Sequence, residues 1–275
     1  MVFRRIEHFV MFTTQVVGSS GLRLGSSFAS DHVLNVKLRS VESYLSSLQK
    51  WEHDQLNVSD AIRQKRFEDI YSLQTWQHGN PSVPKSGTGS TLERTKDVRD
   101  AILDVLEMIN ATRIVDAPCG DLTWMRTLFP EFARRNISYI GVDIVRSEIS
   151  RLQAEFHKDP MVDFAVVDLV TQPTPRADLI FSRQTLQHLQ AEDSLRVLHR
   201  WSRSGSRYLM QTQYTLSGVP NENYNRLKGG DHARVDFLRP PYNLTHPLRR
   251  YLDSEGPHER EDLALWLLPL ITTSV

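Results

Sequence analysis

From Thr112 onward the sequence alternates short apolar segments with segments of helical periodicity, and this alternation restricts the possible folds more than any other feature. A strand, a helix and a second strand in series form a βαβ unit, in which the two strands run parallel. Several such units predict a doubly wound, mostly parallel α/β sheet. The predicted strands are Arg113–Asp116, Ser138–Asp143, Val162–Val167, Ala177–Ser182 and Arg207–Thr212, and the predicted helices are Trp124–Arg134, Ser147–Phe156, Arg183–Leu189 and Glu192–Arg203.

The chain before this sheet has two parts. Residues 1–60 combine a Ser- and Gly-rich lead with a helix predicted from Val33, where apolar residues recur at spacings of three and four, and they predict a flexible lead with a helical extension. The main domain is expected over residues 61–275, beginning with a helix at Ala61–Tyr71. A second helix is predicted to begin at Ser90, which forms a capping-box pattern with Glu93.

The chain after the predicted parallel strands changes in character. Residues 214–260 are rich in Gly, Pro, Asn and His, and loops this long in a compact domain are usually functional. We therefore expect a substrate-side insertion or lid in this stretch. A final antiparallel strand pair is predicted to end in Leu263–Leu268.

The first predicted strand and the turn after it read RIVDAPCGDL over Arg113–Leu122. In open α/β sheets, ligands bind at such turns at the carboxyl ends of strands. Gly120 is the only glycine of the turn, so the G-x-G-x-x-G pattern of NAD and FAD sites is missing, and no P-loop pattern occurs in the chain. The acids Asp116 and Asp121 favour a cofactor with a cationic centre and no phosphate.

Two further acids follow the next predicted strands. Asp143 ends the second strand, where a carboxylate can accept both hydrogen bonds of a ribose diol, and Asp168 follows the third strand. A single strand-end aspartate is as often a helix cap. Acids at three successive strand ends, however, fit a ligand that contains adenosine.

These motifs resemble those of the class I S-adenosylmethionine-dependent methyltransferases, which have a Rossmann-like fold. The resemblance lies in D-A-P-C-G at 116–120, Y-I-G-V-D at 139–143 and D-L-I-F-S-R-Q-T-L-Q-H-L at 178–189. A narrower bacterial-type branch also has S-G-x-G-S-T-L, matched at 86–92, and P-P-F-N, matched as P-P-Y-N at 240–243. The resemblance covers about Ile70 to Trp266.

The resemblance implies S-adenosylmethionine as the cofactor and a role for specific residues. Four turn residues would shape the pocket for the methionine part of the cofactor: Asp116, Ala117, Pro118 and Gly120. Asp143 would hold the ribose hydroxyls and Asp168 the adenine amino group. Ser182 and Arg183, after the fourth strand, would lie beside the cofactor and face the substrate.

The residues proposed for chemistry have alternative interpretations. His188 is the best-placed candidate for a general base, if the methyl acceptor must lose a proton, and it is equally well explained as a hydrogen-bonded helix residue. His232 is a second candidate, with a solvated loop histidine as the alternative. Arg183 could bind an anionic group of the substrate or pair with a carboxylate of the protein.

The predicted function is methyl transfer from S-adenosylmethionine to a small-molecule or glycan-like acceptor. The chain departs from the family pattern at Gln184, where an acid is common, and at Gln77, where a glycine is expected. These departures keep open a catalytically silent protein that binds S-adenosylmethionine and acts as a partner or regulator. A nucleotide-sugar or NAD enzyme of the same architecture is a further alternative, disfavoured by the missing glycines.

Composition and charge limit the classes of partner that we expect. Lys and Arg together number 33, as do Asp and Glu, so the formal net charge is zero and non-specific binding to nucleic acid is not expected. No run of residues approaches the roughly 18 apolar residues that a membrane span needs. We expect a cytoplasmic location, and the alternative is a targeting segment near Phe9–Val17, preceded by two arginines.

Overall fold

A seven-stranded sheet in the order β3-β2-β1-β4-β5-β7-β6 organises the protein. The computed structural model describes residues 60–216, 221, 231–256 and 259–272. The strands are β1 Arg113–Asp116, β2 Ser138–Asp143, β3 Val162–Val166, β4 Leu179–Ser182, β5 Tyr208–Leu216, β6 Arg249–Gly256 and β7 Glu259–Leu267. The first five are parallel, and β7 is antiparallel to β5 and to β6. The predicted doubly wound sheet with a final antiparallel pair is confirmed.

Helices cover both faces of the sheet. They are α1 (residues 60–72), α2 Lys96–Met108, α3 Phe129–Arg134, α4 Arg146–Phe156 and α5 Ala191–Arg203. Short 3-10 turns lie at Thr75–Gln77, Thr88–Ser90, Met125–Leu128 and Leu186–His188. None of the helices in the described ranges has the length and apolar character to cross a membrane.

The central strands β1, β4 and β5 are buried on both faces, which explains their continuous apolar runs. Successive residues of a strand point to opposite faces, so Ile114 packs in the layer that includes α2 and α4, whereas Val115 packs in the layer that includes α5. The same alternation places Leu179 and Ile180 on opposite faces of the sheet. Both faces of the central strands are therefore dry, and polar side chains lie at the edge formed by the carboxyl ends of the strands.

The order of the strands creates a crevice at β1. The chain runs from β1 outward through β2 and β3, then returns to place β4 on the other side of β1. At such a reversal the loops after the two central strands diverge, which leaves a ligand-binding crevice outside the carboxyl ends. The turn after β1 and the loop after β4 border this crevice.

Two predicted helix boundaries were wrong. The capping box at Ser90 does not form: Thr88–Ser90 is a 3-10 turn, α2 begins at Lys96, and Leu92 is exposed. The segment Arg183–Leu189 is not an α-helix, because Gln184 has a left-handed backbone (φ 54°) and only Leu186–His188 makes a 3-10 turn. Both segments are irregular where they border the crevice.

The predicted insertion at 214–260 is shorter than expected. Strand β5 continues to Leu216 because it pairs with β7 along its full length, and β6 occupies Arg249–Gly256. The prediction of a lid falls partly on 217–220 and 222–230, which lie outside the described residues. The N-terminal lead and the helix predicted from Val33 also lie outside them.

Candidate active site

The turn after β1 is fixed by backbone hydrogen bonds to both neighbouring strands. The Ala117 N–H donates to the carbonyl oxygen of Phe181 in β4 at 2.9 Å, and the Cys119 N–H donates to that of Val142 in β2 at 2.9 Å. Asp116, at the end of β1, accepts a hydrogen bond from the Tyr139 hydroxyl at 2.8 Å. The turn is therefore a rigid part of the sheet edge.

Gly120 and Asp143 join this turn to the end of β2. The Gly120 N–H donates to Asp143 Oδ2 at 3.0 Å, and the Val145 N–H donates to Oδ1 at 2.9 Å. Gly120 has a φ of 59°, and a Cβ there would lie 3.2 Å from both the Ser86 Cβ and the Tyr71 hydroxyl. The position thus needs glycine for its backbone conformation and for its close contacts.

Asp121 holds a second loop against the turn. The backbone N–H and the hydroxyl of Ser86 both donate to the Asp121 carboxylate, at 3.2 and 3.0 Å. Ser86 begins the S-G-T-G-S segment, and all five residues of this segment line the cavity described next. The segment does not cap α2; it forms a wall of the crevice.

A cavity of about 1190 Å³ fills the crevice. Ligand pockets commonly enclose roughly 300–1,000 Å³, so this one has room for two ligands side by side. Seven of the nine predicted site residues line it: Asp116, Pro118, Gly120, Asp143, Asp168, Arg183 and His188. The other two do not: Ala117 contributes its backbone to the turn, and Ser182 is buried at the end of β4.

Burial dominates the acid chemistry of the turn. Desolvation raises the pKa of Asp116 to about 8, against the lowering effect of the hydrogen bond from Tyr139. It raises the pKa of Asp143 to about 6, although backbone N–H groups stabilise that carboxylate. Burial also raises the pKa of the Cys119 thiol well above its usual value, so this thiol is a poor nucleophile. A positive charge in the cavity would favour the ionised form of both acids.

Asp168 is engaged by a residue that sequence reasoning missed. Arg63, in α1, donates to both Asp168 oxygens with Nε (3.2 and 3.1 Å) and to Oδ2 with Nη2 at 2.7 Å. Arg63 also contacts Asp60 at 2.6 Å and Asp193 at 3.2 Å. Nothing in the local sequence distinguishes Arg63, because its partners lie up to 130 residues away.

Arg183 is paired within the protein. Its Nε and Nη2 donate to the two oxygens of Asp253 in β6 at 2.7 and 2.8 Å, and its Nη1 donates to the Gly89 carbonyl at 2.9 Å. Both side chains of the ion pair are buried. The structural alternative considered for Arg183 is thus the one observed, and this residue fixes the S-G-T-G-S loop to the antiparallel part of the sheet.

A second buried acid lies at the antiparallel side of the cavity. Glu261 in β7 accepts hydrogen bonds from the Tyr214 hydroxyl at 3.2 Å, the Ser254 hydroxyl at 3.0 Å and the Gln184 side-chain amide. Burial and the nearby Asp253 carboxylate raise its pKa to about 7, against the opposing effect of Arg183. The only sequence signal for Glu261 is a charged residue in a predicted strand.

Next to this acid, the ring of Tyr214 is followed by three further aromatic rings along the cavity. His232 lies beside Tyr214 (ring centroids 6.0 Å apart), His188 lies 5.5 Å from His232, and Trp76 lies 5.1 Å from His188. His188 Nδ1 lies 2.9 Å from the Asp231 carbonyl oxygen. Because a carbonyl only accepts, Nδ1 carries the proton and the lone pair of the neutral ring is on Nε2.

The sequence of the central region matches a known family. Residues 114–205, which include β1 to β4 and α5, match the family described as a methyltransferase domain. The match supports the enzyme class predicted from the sequence and S-adenosylmethionine as the cofactor. The match does not extend to the antiparallel strands that carry Asp253 and Glu261.

Comparison with characterised proteins gives more distant similarities. Over 152 residues the chain is 24% identical to a phosphoethanolamine N-methyltransferase from Triticum aestivum. The aligned segment is 53% of this chain and 29% of the wheat protein. The N-methyltransferase NodS from Bradyrhizobium japonicum has 14% identity and a TM-score of 0.47, over 64% of this chain and 97% of that one. Human N-acetylserotonin methyltransferase, crystallised with S-adenosylmethionine, has 14% identity and a TM-score of 0.46. This comparison covers 74% of this chain and 56% of the human one.

Proposed function

We propose that the protein transfers the methyl group of S-adenosylmethionine to a small-molecule or glycan-like acceptor. One observation carries this proposal: Asp116 and Asp143, at the carboxyl ends of neighbouring strands, line a single cavity, and both lie in the segment that matches the methyltransferase domain family. The other acid of the predicted set, Asp168, lines the same cavity.

The side chains at the turn fit this cofactor chemically. Asp116 is buried without a cationic partner within the described residues, so it is suited to the positive charge of the cofactor. Each oxygen of Asp143 accepts one backbone hydrogen bond and keeps a further lone pair for a ribose hydroxyl. Asp168, held by Arg63, is the proposed partner of the adenine amino group.

The chemistry then demands little of the protein beyond positioning. When bound, S-adenosylmethionine would supply a methyl group on a positively charged sulfur. The acceptor forms a bond to the methyl carbon as the carbon–sulfur bond breaks, and the neutral thioether leaves in line. The turn and the S-G-T-G-S loop hold that reactant on a rigid edge, and the remaining cavity orients the acceptor. If the acceptor must lose a proton, His188 Nε2 is the proposed base, since the ring is oriented by the Asp231 carbonyl.

Calorimetric titration with S-adenosylhomocysteine tests the proposal. The wild type should bind, Asp143→Ala should bind at least about tenfold more weakly because a charged hydrogen-bond acceptor is lost, and the exposed control Asp163→Ala should bind normally. Absence of binding by the wild type would exclude the proposed function. Transfer of a radioactive methyl group to a panel of alcohols, amines and glycans would then separate an active enzyme from a silent binding protein.

A further inference from the structure

The cavity is lined by more buried acidic side chains than buried basic ones, although the whole chain has no net charge. Five carboxylates that are at most 12% exposed line it: Asp116, Asp143, Asp168, Asp253 and Glu261. Among the residues that the structure describes, two guanidinium groups of similar burial, those of Arg63 and Arg183, line the same space. Because buried charges are normally compensated, this imbalance indicates that cationic ligands complete the site.

The two arginines form ion pairs with two of the five acids. Arg63 pairs with Asp168 at 2.7 Å, and Arg183 pairs with Asp253 through two parallel hydrogen bonds. Three carboxylates are left without a cationic partner in the described ranges. They are Asp116, Asp143 and Glu261.

These three acids lie in two separate places. Asp116 and Asp143 belong to the turn at β1 and β2, which the proposed function assigns to the cofactor. Glu261 is on β7, and the strand order β1-β4-β5-β7 puts three strand spacings, roughly 14 Å, between β1 and β7. A ligand group other than the one at the turn must therefore compensate Glu261.

The surroundings of Glu261 are suited to an organic cation. All three of its hydrogen-bond donors are neutral, and the guanidinium of Arg183, whose charge also acts on Glu261, is occupied by Asp253 and the Gly89 carbonyl. The rings of Tyr214, His232, His188 and Trp76 extend from this acid along the cavity. Aromatic faces next to a buried carboxylate attract an ammonium group through its charge and its apolar substituents.

We propose that Glu261 binds the ammonium group of the methyl acceptor, so that the acceptor is a basic amine and not a neutral or anionic compound. This inference rests on the proposed function, because it takes the turn at Asp116 and Asp143 as the place of the cofactor. Glu261 is then the residue that determines acceptor specificity.

A comparison of the affinities of matched amines and neutral alcohols tests this inference. The protein, saturated with S-adenosylhomocysteine, is titrated calorimetrically with benzylamine and benzyl alcohol, with ethanolamine and ethylene glycol, and with glucosamine and glucose. At least one amine should bind tenfold or more tightly than its neutral counterpart. Glu261→Gln should abolish this preference and leave the affinity for S-adenosylhomocysteine within twofold of the wild type.

Two control variants make the outcome decisive. Glu192→Gln removes an exposed carboxylate of α5 and should keep the preference for amines. Ser254→Ala removes a neutral donor to Glu261 while keeping the charge, and it should also keep the preference. The comparison of amines with alcohols in the wild type keeps the inference testable if Glu261→Gln fails to fold. Equal binding of amines and alcohols, binding of no amine, loss of the preference in Ser254→Ala, or a preference that survives in Glu261→Gln would overturn the inference. Failure of the wild type to bind S-adenosylhomocysteine would instead refute the proposed function.

Discussion

The backbone N–H of Gly120 donates to the Asp143 carboxylate at 3.0 Å, so the turn after β1 and the last residue of β2 form one unit. This bond orients the acid that is proposed to hold the ribose. It also explains why a turn with a single glycine suffices: the glycine lies where the chain needs a left-handed backbone and where Ser86 and Tyr71 approach closely.

Substitution of Gly120 by alanine should destabilise the protein and weaken binding of S-adenosylhomocysteine. A left-handed alanine costs about 1–2 kcal/mol, and the added Cβ would also press on Ser86 and Tyr71. Gly79→Ala is the matched control, since Gly79 has a φ of 77° and nothing within 4 Å of the new Cβ. Thermal unfolding should show a larger loss for Gly120→Ala, and equal losses would mean that the contacts are unimportant.

Asp116 should make the free protein less stable as the pH rises. Its pKa is about 8 in the folded state and near 3.8 in the unfolded chain, so between these values the unfolded state has lost a proton that the folded state keeps. The free energy of unfolding therefore falls with pH across this window. In urea unfolding, the stability of Asp116→Asn relative to the wild type should increase from pH 5 to pH 8. A constant difference would contradict the raised pKa.

Binding of S-adenosylhomocysteine should weaken as the pH falls through about 6, because Asp143 must be ionised to accept the ribose hydroxyls. Well below that pH the contribution of this residue falls by about tenfold in affinity per unit. Asp143→Asn should bind weakly and lack this part of the pH dependence. Calorimetric titrations of the wild type and of Asp143→Asn between pH 5 and pH 8 test this. Because both proteins contain Asp116, a difference in their pH dependence is due to Asp143.

The sequence predicted the parallel strands within a few residues because their apolar runs are local properties. It failed at Arg183–Leu189, where the helical pattern is overridden by the left-handed Gln184, whose N–H donates to Thr212 at 2.9 Å. The turn acids were also predictable, since strand ends are visible in sequence. Arg63 and Glu261 were not, because their roles depend on partners brought together by the sheet order and by the antiparallel pairing of β5 with β7.

Arg63 and Asp168 should show coupled effects on stability. Removal of the arginine by Arg63→Met leaves Asp168, Asp60 and Asp193 without their shared partner, which we expect to cost about 3 kcal/mol, as for other largely buried ion pairs. Asp168→Asn alone should cost less. The double variant should be more stable than the sum of the two single changes predicts, and a strictly additive double-mutant cycle by urea unfolding would refute the coupling.

His188→Ala should lower turnover while leaving the affinity for S-adenosylhomocysteine nearly intact. The residue lines the cavity, its Nδ1 is held by the Asp231 carbonyl, and the lone pair of its neutral ring is therefore on Nε2. General-base assistance typically contributes about 100-fold or more to the rate. His232→Ala, in the same row of rings but with Nε2 directed to Gln184 and Tyr214, is the comparison, and it should lose less. Turnover that is unchanged in His188→Ala would remove this residue as the base, whereas a loss that matches that of His232→Ala would assign both rings to binding the acceptor.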